Sequence, residues 1–153
     1  MGELEANQTK LNIGARKKAR RALVQAAYQW QVNQSPVDEL IAEFAESSLN
    51  HADTEFFAAI IRAVIAATSE LDALIAPLLD RPIKQLDLVE RGILRVAAVE
   101  LKNRIDVPYR VVIDEYVELT KRFGAQDAYR FVNGVLDKLA ADLRRVEVAA
   151  DTR

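Results

Sequence analysis

Hydrophobic residues recur every three or four positions along almost the whole chain, and the alternation typical of strands is nearly absent. This periodicity predicts an all-α protein of about seven helices. Serine, threonine and aspartate mark several helix starts, and at Ser35 the serine N-cap is followed by proline. The predicted helices begin near residues 15, 36, 54, 68, 86, 108 and 126. Short connections favour packing of each helix against its neighbours in sequence.

The periodic pattern also defines the extent of the folded unit. Residues 86–103 are apolar over much of the helix circumference, which predicts a helix in the middle of a bundle. Residues 1–12 lack a periodic apolar face, so we expect a flexible N-terminal tail, and we expect a second flexible tail over residues 146–153. The remaining residues 13–145 predict one helical domain.

Composition narrows the class of protein. Half of the residues are hydrophobic, which is enough for a core without disulfides, and the absence of cysteine excludes thiolate metal sites and cysteine nucleophiles. The longest apolar stretch, residues 56–67, contains Arg62 and is shorter than the roughly 20 residues of a membrane span. The first ten residues are too polar for a signal peptide. We therefore expect a cytoplasmic protein that does not associate with membranes.

Charge is distributed unevenly along the chain. The basic segment, residues 16–21, reads Arg-Lys-Lys-Ala-Arg-Arg and contains no acid, although the net charge is −2. Cations in the first turn of a helix oppose its macrodipole at a cost of about 0.3–1 kcal/mol each, so a bound anion would explain them. Helical phase places Lys17, Arg21, Val24 and Tyr28 in one stripe opposite the buried face. Cations beside an aromatic ring suit phosphates and a stacked base, and a solvated helix face is the alternative.

A second unusual stretch spans residues 122–137. Phe131 and Tyr129 flank the apolar stripe of the predicted last helix, and Arg130 faces away from it. For Phe131, core packing and base stacking both remain open. Gly134 costs about 1 kcal/mol relative to alanine inside a helix, which favours tight helix packing or the close approach of another chain, with packing preferred.

No pattern in the sequence assembles a catalytic site. His51 is the only histidine and falls in a predicted loop, and neither a glycine-rich phosphate loop nor a two-histidine metal motif is present. Asp114, Glu115 and Glu118 form either a small acidic surface or an ordinary solvated face. We therefore predict a protein that is not an enzyme and needs no cofactor or metal.

Four segments resemble motifs of the NusB family in both order and spacing. They read ARKKAR with AAYQWQ (residues 15–31), VERGILR continuing to Glu100-Leu101 (residues 89–101), DVPY with IDE (residues 106–115), and FGA with FVNGVLD (residues 123–137). The resemblance covers about residues 13–144. It implies a NusB-like fold of two packed three-helix bundles.

The resemblance also implies a function in transcription antitermination. Proteins of this family bind boxA, a single-stranded RNA element of ribosomal RNA operons, together with the ribosomal protein NusE. The pair joins NusA, NusG and RNA polymerase to keep the polymerase elongating. Some members of the family form homodimers, and the sequence leaves this association open.

Residue by residue, the family's arginine-rich RNA-binding motif falls on Arg16, Lys17, Lys18 and Arg20. Lysine lacks the planar fork of arginine, so base discrimination should depend more on Arg16 and Arg20. Arg21 is added on charge alone. The resemblance further implies that Asp127 and Phe131 bind RNA, and that Tyr28 and Glu90 lie near the NusE surface.

Two other functions fit the same residues. One is a protein–protein interaction module whose basic segment meets an acidic partner. The other is an RNA-binding domain related to the NusB-like domain of certain RNA cytosine methyltransferases. Because the chain ends shortly after the helical unit, we expect no catalytic domain in this second case.

Overall fold

The computed structural model describes residues 2–151, and for residues 6–11 it describes the backbone without the side chains. Within this range the chain forms eight α-helices, two short 3₁₀ turns at Ala76–Leu78 and Ile83–Gln85, and no strand. The helices are α1 (Gly2–Asn33), α2 (Val37–Ser47), α3 (Thr54–Ala66), α4 (Thr68–Ile75), α5 (Leu88–Asn103), α6 (Tyr109–Phe123), α7 (Ala128–Leu143) and α8 (Arg145–Asp151). The predicted all-α class is confirmed, and no described helix is long and apolar enough to cross a membrane.

Local sequence signals account for some helix boundaries, whereas α2, α4, α6 and α7 begin without a side-chain capping hydrogen bond. The Asp53 carboxylate accepts a hydrogen bond from the Phe56 amide at 3.0 Å and caps the start of α3. Asp87 caps α5 in the same way, accepting from the Val89 amide at 2.8 Å. Helix α6 ends at Gly124, as its sequence predicted.

Helix α5 occupies the centre of the molecule. Every residue from Gly92 to Leu101 is buried, because α5 packs against α1, α3, α4, α6 and α7. A Cβ atom on Gly92 would lie 3.3 Å from the Ala27 Cβ, which shows how closely α1 and α5 approach. Helices α1–α3 form one bundle and α5–α7 the other, so the predicted pair of three-helix bundles is confirmed.

Helix α1 begins much earlier than predicted, at Gly2 and not near Ala15. The basic segment therefore lies in the middle of a long helix, and the macrodipole argument made for its cations is wrong. Within the predicted N-terminal tail, residues 2–12 have a helical backbone and Met1 lies outside the described residues. The flexibility of that segment stays a prediction.

Helix α8 was missed by the sequence pattern. The Glu147 carboxylate fixes it to the core by accepting hydrogen bonds from the Tyr109 amide at 2.8 Å and from Arg144 Nη1 at 2.7 Å. Arg144 is buried and also donates to the carbonyl oxygens of Leu101, Arg104 and Val107. Residues 152–153 of the predicted C-terminal tail lie outside the described residues.

Candidate nucleic-acid interface

The cations of the basic segment divide into exposed and paired groups. Lys18 and Arg21 are exposed and form no ion pair within residues 2–151, the side chains of residues 6–11 excepted. Lys17 is exposed too, but its Nζ lies 2.6 Å from Glu115 Oε1 on α6. Arg16 is half-buried, with its guanidinium 3.5 Å from carboxylate oxygens of both Asp53 and Asp106.

Arg20 differs from the rest of the basic segment because it is only 3 % exposed. Its Nε and Nη2 donate to the two carboxylate oxygens of Glu100, at 2.9 and 2.7 Å. The Tyr116 hydroxyl donates to the same carboxylate at 2.7 Å, and burial raises the pKa of Tyr116 well above its usual range, so the proton stays on the hydroxyl. Contrary to the prediction, the structure does not present Arg20 for contact with RNA.

Three arginines surround the buried ring of Phe56 beneath the exposed cations. The guanidinium carbons of Arg16, Arg20 and Arg104 lie 4.9, 5.3 and 5.3 Å from the centroid of the buried Phe56 ring. The cation–π contact with Phe56 keeps the half-buried Arg16 guanidinium at one end of the basic segment, next to its exposed cations. Arg104 lies in the α5–α6 connection, and no pattern in the sequence predicts its place in this cluster.

The exposed stripe predicted along α1 is interrupted. Val24 is 3 % exposed and belongs to the core, whereas Tyr28 is 43 % exposed. Tyr28 stands on the rim of an apolar groove of about 810 Å³ between α1, α2 and the neighbouring ends of α5 and α6. Its apolar lining consists of Val24, Tyr28, Val32, Phe44, Val89 and Phe123.

A separate polar pocket of about 390 Å³ brings Asp127, Phe131 and Glu90 together between the start of α5 and the α6–α7 loop. Phe131 is half-buried, and the Arg81 guanidinium lies 5.4 Å from its ring centroid. Asp127 is exposed at the N-cap position of α7, with a left-handed φ of 65° and no side-chain capping bond. Its carboxylate is therefore free of a capping role.

Glu90 lies beneath the α6–α7 loop and is only 5 % exposed. Its Oε1 accepts a hydrogen bond from the Ala125 amide at 3.1 Å, while its Oε2 has no hydrogen-bond partner among the described residues. Burial raises the pKa of Glu90. A Cβ on Gly124 would lie 2.8 Å from the Thr120 carbonyl oxygen, so glycine is required where the loop folds over Glu90. Glu90 thus supports the loop and exposes little surface to a partner.

The structure overturns the preferred interpretation of Gly134. An added Cβ there would meet no atom within 4 Å, and the residue is exposed. Tight helix packing is therefore not the reason for this glycine. Two cations near the aromatic residues of α7 were not predicted from the sequence, namely Arg81 beside Phe131 and Lys121 beside Tyr129.

Fold and surface together define a helical protein with exposed cations on α1, an apolar groove along the same helix, and a separate polar pocket that contains Phe131. Residues 17–141 match the model of the NusB family. The chain is 48% identical over 136 residues to the transcription antitermination protein NusB of Pseudoalteromonas atlantica, covering 88% of this chain and 97% of that protein. It is 51% identical over 137 residues to NusB of Paraburkholderia phytofirmans, covering 89% of this chain and 95% of that protein.

Solved structures agree with the sequence relatives. NusB of T. maritima superposes with a TM-score of 0.76 at 31% identity, over 82% of this chain and 89% of that one. A NusB solved with NusE and double-stranded RNA superposes with a TM-score of 0.71 at 28% identity, over 80% and 93% of the two chains. The chain belongs to the NusB family of transcription antitermination proteins. Membership confirms the predicted family and the prediction that the protein is not an enzyme.

Proposed function

We propose that this protein binds single-stranded boxA RNA of ribosomal RNA operons together with NusE, and so keeps RNA polymerase elongating in a cytoplasmic complex with NusA and NusG. The observation that carries the proposal is the pair of exposed cations Lys18 and Arg21, which no described carboxylate neutralises. Unpaired cations on a rigid helix offer phosphates a site that needs no rearrangement.

The related NusB structure supports the same two partners. That protein was solved with NusE and double-stranded RNA, and its fold covers 80% of this chain, so it supports NusE and RNA as partners, whereas the single-stranded form of the RNA belongs to our proposal. Lys17, Lys18 and Arg21 hold the RNA backbone in our proposal, and Arg16 contributes from the edge of the segment. Phe131 takes an unstacked base, and the Asp127 carboxylate accepts a hydrogen bond from the RNA.

NusE docks at the apolar groove in this proposal. Tyr28 is the residue that presents both a ring and a hydroxyl at the groove rim, a combination common at protein interfaces. Glu90 contributes from beneath the surface, because its hydrogen bond with the Ala125 amide fixes the α6–α7 loop, which lies between the groove and the polar pocket. NusE binding without any preference for boxA would instead favour a plain protein–protein module.

The test is a titration of boxA RNA and a scrambled RNA of equal length, with and without NusE. With four cations on phosphates, log affinity should fall with log salt at a slope of about −2.8. Lys18→Glu and Arg21→Glu should each weaken binding at least about tenfold, since each replaces attraction by repulsion. Arg62→Glu on α3 is the control, because Arg62 is exposed but pairs with Asp38 on α2.

A slope near zero, or an equal loss for Arg62→Glu, would contradict the proposal. Light scattering of the free protein and of its RNA complex shows whether a homodimer forms and whether RNA dissociates it.

A further inference from the structure

A second cationic and aromatic surface lies where α6 meets α7. We call Lys121, Tyr129 and Arg130 the Tyr129 platform. Lys121 Nζ lies 5.1 Å and the Arg130 guanidinium carbon 5.7 Å from the Tyr129 ring centroid. Arg130 Nε also donates a hydrogen bond to the Tyr129 hydroxyl at 3.2 Å. One half-buried ring is therefore flanked by two exposed cations.

The charge of the platform is positive. Lys121 Nζ lies 3.1 Å from Glu118 Oε1, an exposed pair one turn apart on α6 that water and salt weaken. Arg130 forms no salt bridge with any described carboxylate. The platform thus keeps at least one cation available for an anion.

The platform shares its helices with both parts of the proposed RNA site. Tyr129 lies two residues before Phe131 in the first turn of α7, on the flank that faces α6. On α6, Lys121 follows Glu115, the contact of Lys17, by six residues, which is about 9 Å along the helix axis. Because six residues also place Lys121 about 120° round the helix from Glu115, an RNA strand that leaves the basic segment has to cross α6 obliquely to reach Tyr129.

We propose that the Tyr129 platform binds one nucleobase of single-stranded RNA, stacked on the Tyr129 ring, while Lys121 and Arg130 contact the adjoining phosphates. The inference rests on the proposed function and adds a second stacking position to it. The exposed cations are on flexible side chains, and a stacked base displaces one of them because stacking is stronger than an exposed cation–π contact. The displaced cation then lies beside the phosphate of that nucleotide.

The first test uses boxA RNA in which single positions carry the fluorescent base 2-aminopurine. Binding to the wild-type protein should quench the fluorescence at two separate positions, one for Phe131 and one for Tyr129. Tyr129→Ala should remove the quenching at one position only and weaken binding about tenfold. Tyr129→Phe is the matched control, because it keeps the ring and should stay within about twofold of the wild type.

The second test removes the charges and leaves the ring in place. With the two platform cations added to the four on α1, the wild-type salt slope should be about −4.2, and Lys121→Gln with Arg130→Gln should reduce it to about −2.8, since two phosphates lose their cations. Arg62→Gln should leave the slope unchanged. Both platform cations are exposed, so this variant remains informative if Tyr129→Ala does not fold.

The outcomes distinguish the platform from the proposed function. Failure of the wild-type protein to bind boxA RNA overturns both. If the wild type binds but neither Tyr129→Ala nor the double variant changes affinity, quenching or salt slope, only the platform is overturned. Loss of NusE affinity with unchanged RNA affinity assigns Tyr129 to a protein contact and overturns the platform as well.

Discussion

The Lys17–Glu115 ion pair places a carboxylate where the proposed function needs a phosphate. The two charged atoms are 2.6 Å apart, and Lys17 is otherwise exposed. In the proposed complex, RNA has to displace Glu115 to reach this cation. The acidic face on α6, which the sequence left as a choice between a functional and a solvated surface, is therefore expected to lower the affinity of the basic segment for RNA.

Glu115→Gln should raise the affinity for boxA RNA about two- to fivefold, because RNA no longer has to break the Lys17–Glu115 pair. An exposed ion pair of this kind is worth up to about 1 kcal/mol. Fluorescence anisotropy at low and at moderate salt measures the change, which should shrink as salt increases. Asp38→Asn changes the net charge equally at a pair on α2 and α3, and serves as the control. Equal gains for both variants would mean that net charge alone is responsible.

The Arg20–Glu100 pair has the opposite role, since it stabilises the fold from inside. Arg20→Met should lower the free energy of unfolding by about 3–5 kcal/mol, because it leaves the Glu100 carboxylate buried without its cation. Urea unfolding measures the loss. The double variant Arg20→Met with Glu100→Met should recover much of it, and an unaltered stability in the single variant would refute the structural role.

These neighbouring residues show how much a single sequence reveals about a site. Helical phase correctly separated the buried Ala19 and Leu23 from the exposed Lys17 and Arg21. It did not reveal that Arg20 turns inward, because its partner Glu100 is 80 residues away. Charge type can be read from the sequence, but the pairing of charges depends on the tertiary structure.

At the scale of elements, hydrophobic periodicity predicted the helices that have a long apolar face and missed the early turns of α1 and the short helix α8. The early turns of α1 contribute no buried residue among their described side chains, so the sequence has no apolar stripe there that would predict a helix. Glu3 and Glu5 in the first turn suit the positive end of the helix dipole. Helix α8 was likewise missed, because Glu147 and Arg144 hold it through polar contacts.

Gly134 offers a direct test of what α7 does in a complex. Gly134→Ala should raise the free energy of unfolding by about 0.5–1 kcal/mol, since the position is helical, exposed and open to a new Cβ. Thermal or urea unfolding checks this gain. If another chain approaches the helix closely here, the same variant should bind RNA or NusE more weakly. Destabilisation of the free protein would contradict the open geometry.

At the scale of the whole molecule, α1 connects the site to both bundles. It packs against α3 in the first bundle and against α5 and α6 in the second. Acidic residues outnumber basic ones over the whole chain, 23 to 21, although the basic segment contains no acid. Polyanions are therefore attracted to one face and repelled by much of the remaining surface.

Because a single helix carries the cations and joins both bundles, RNA bound to α1 should stabilise the protein as one unit. We expect one unfolding transition in calorimetry, and boxA RNA at about 100 times its Kd should add about 2.7 kcal/mol to the free energy of unfolding. The transition temperature of Lys18→Glu with Arg21→Glu should not respond to RNA at the same concentration, because the two exposed, unpaired cations of the basic segment are lost. Two separate transitions, only one of them shifted by RNA, would show that the bundles unfold independently and that α1 does not couple them.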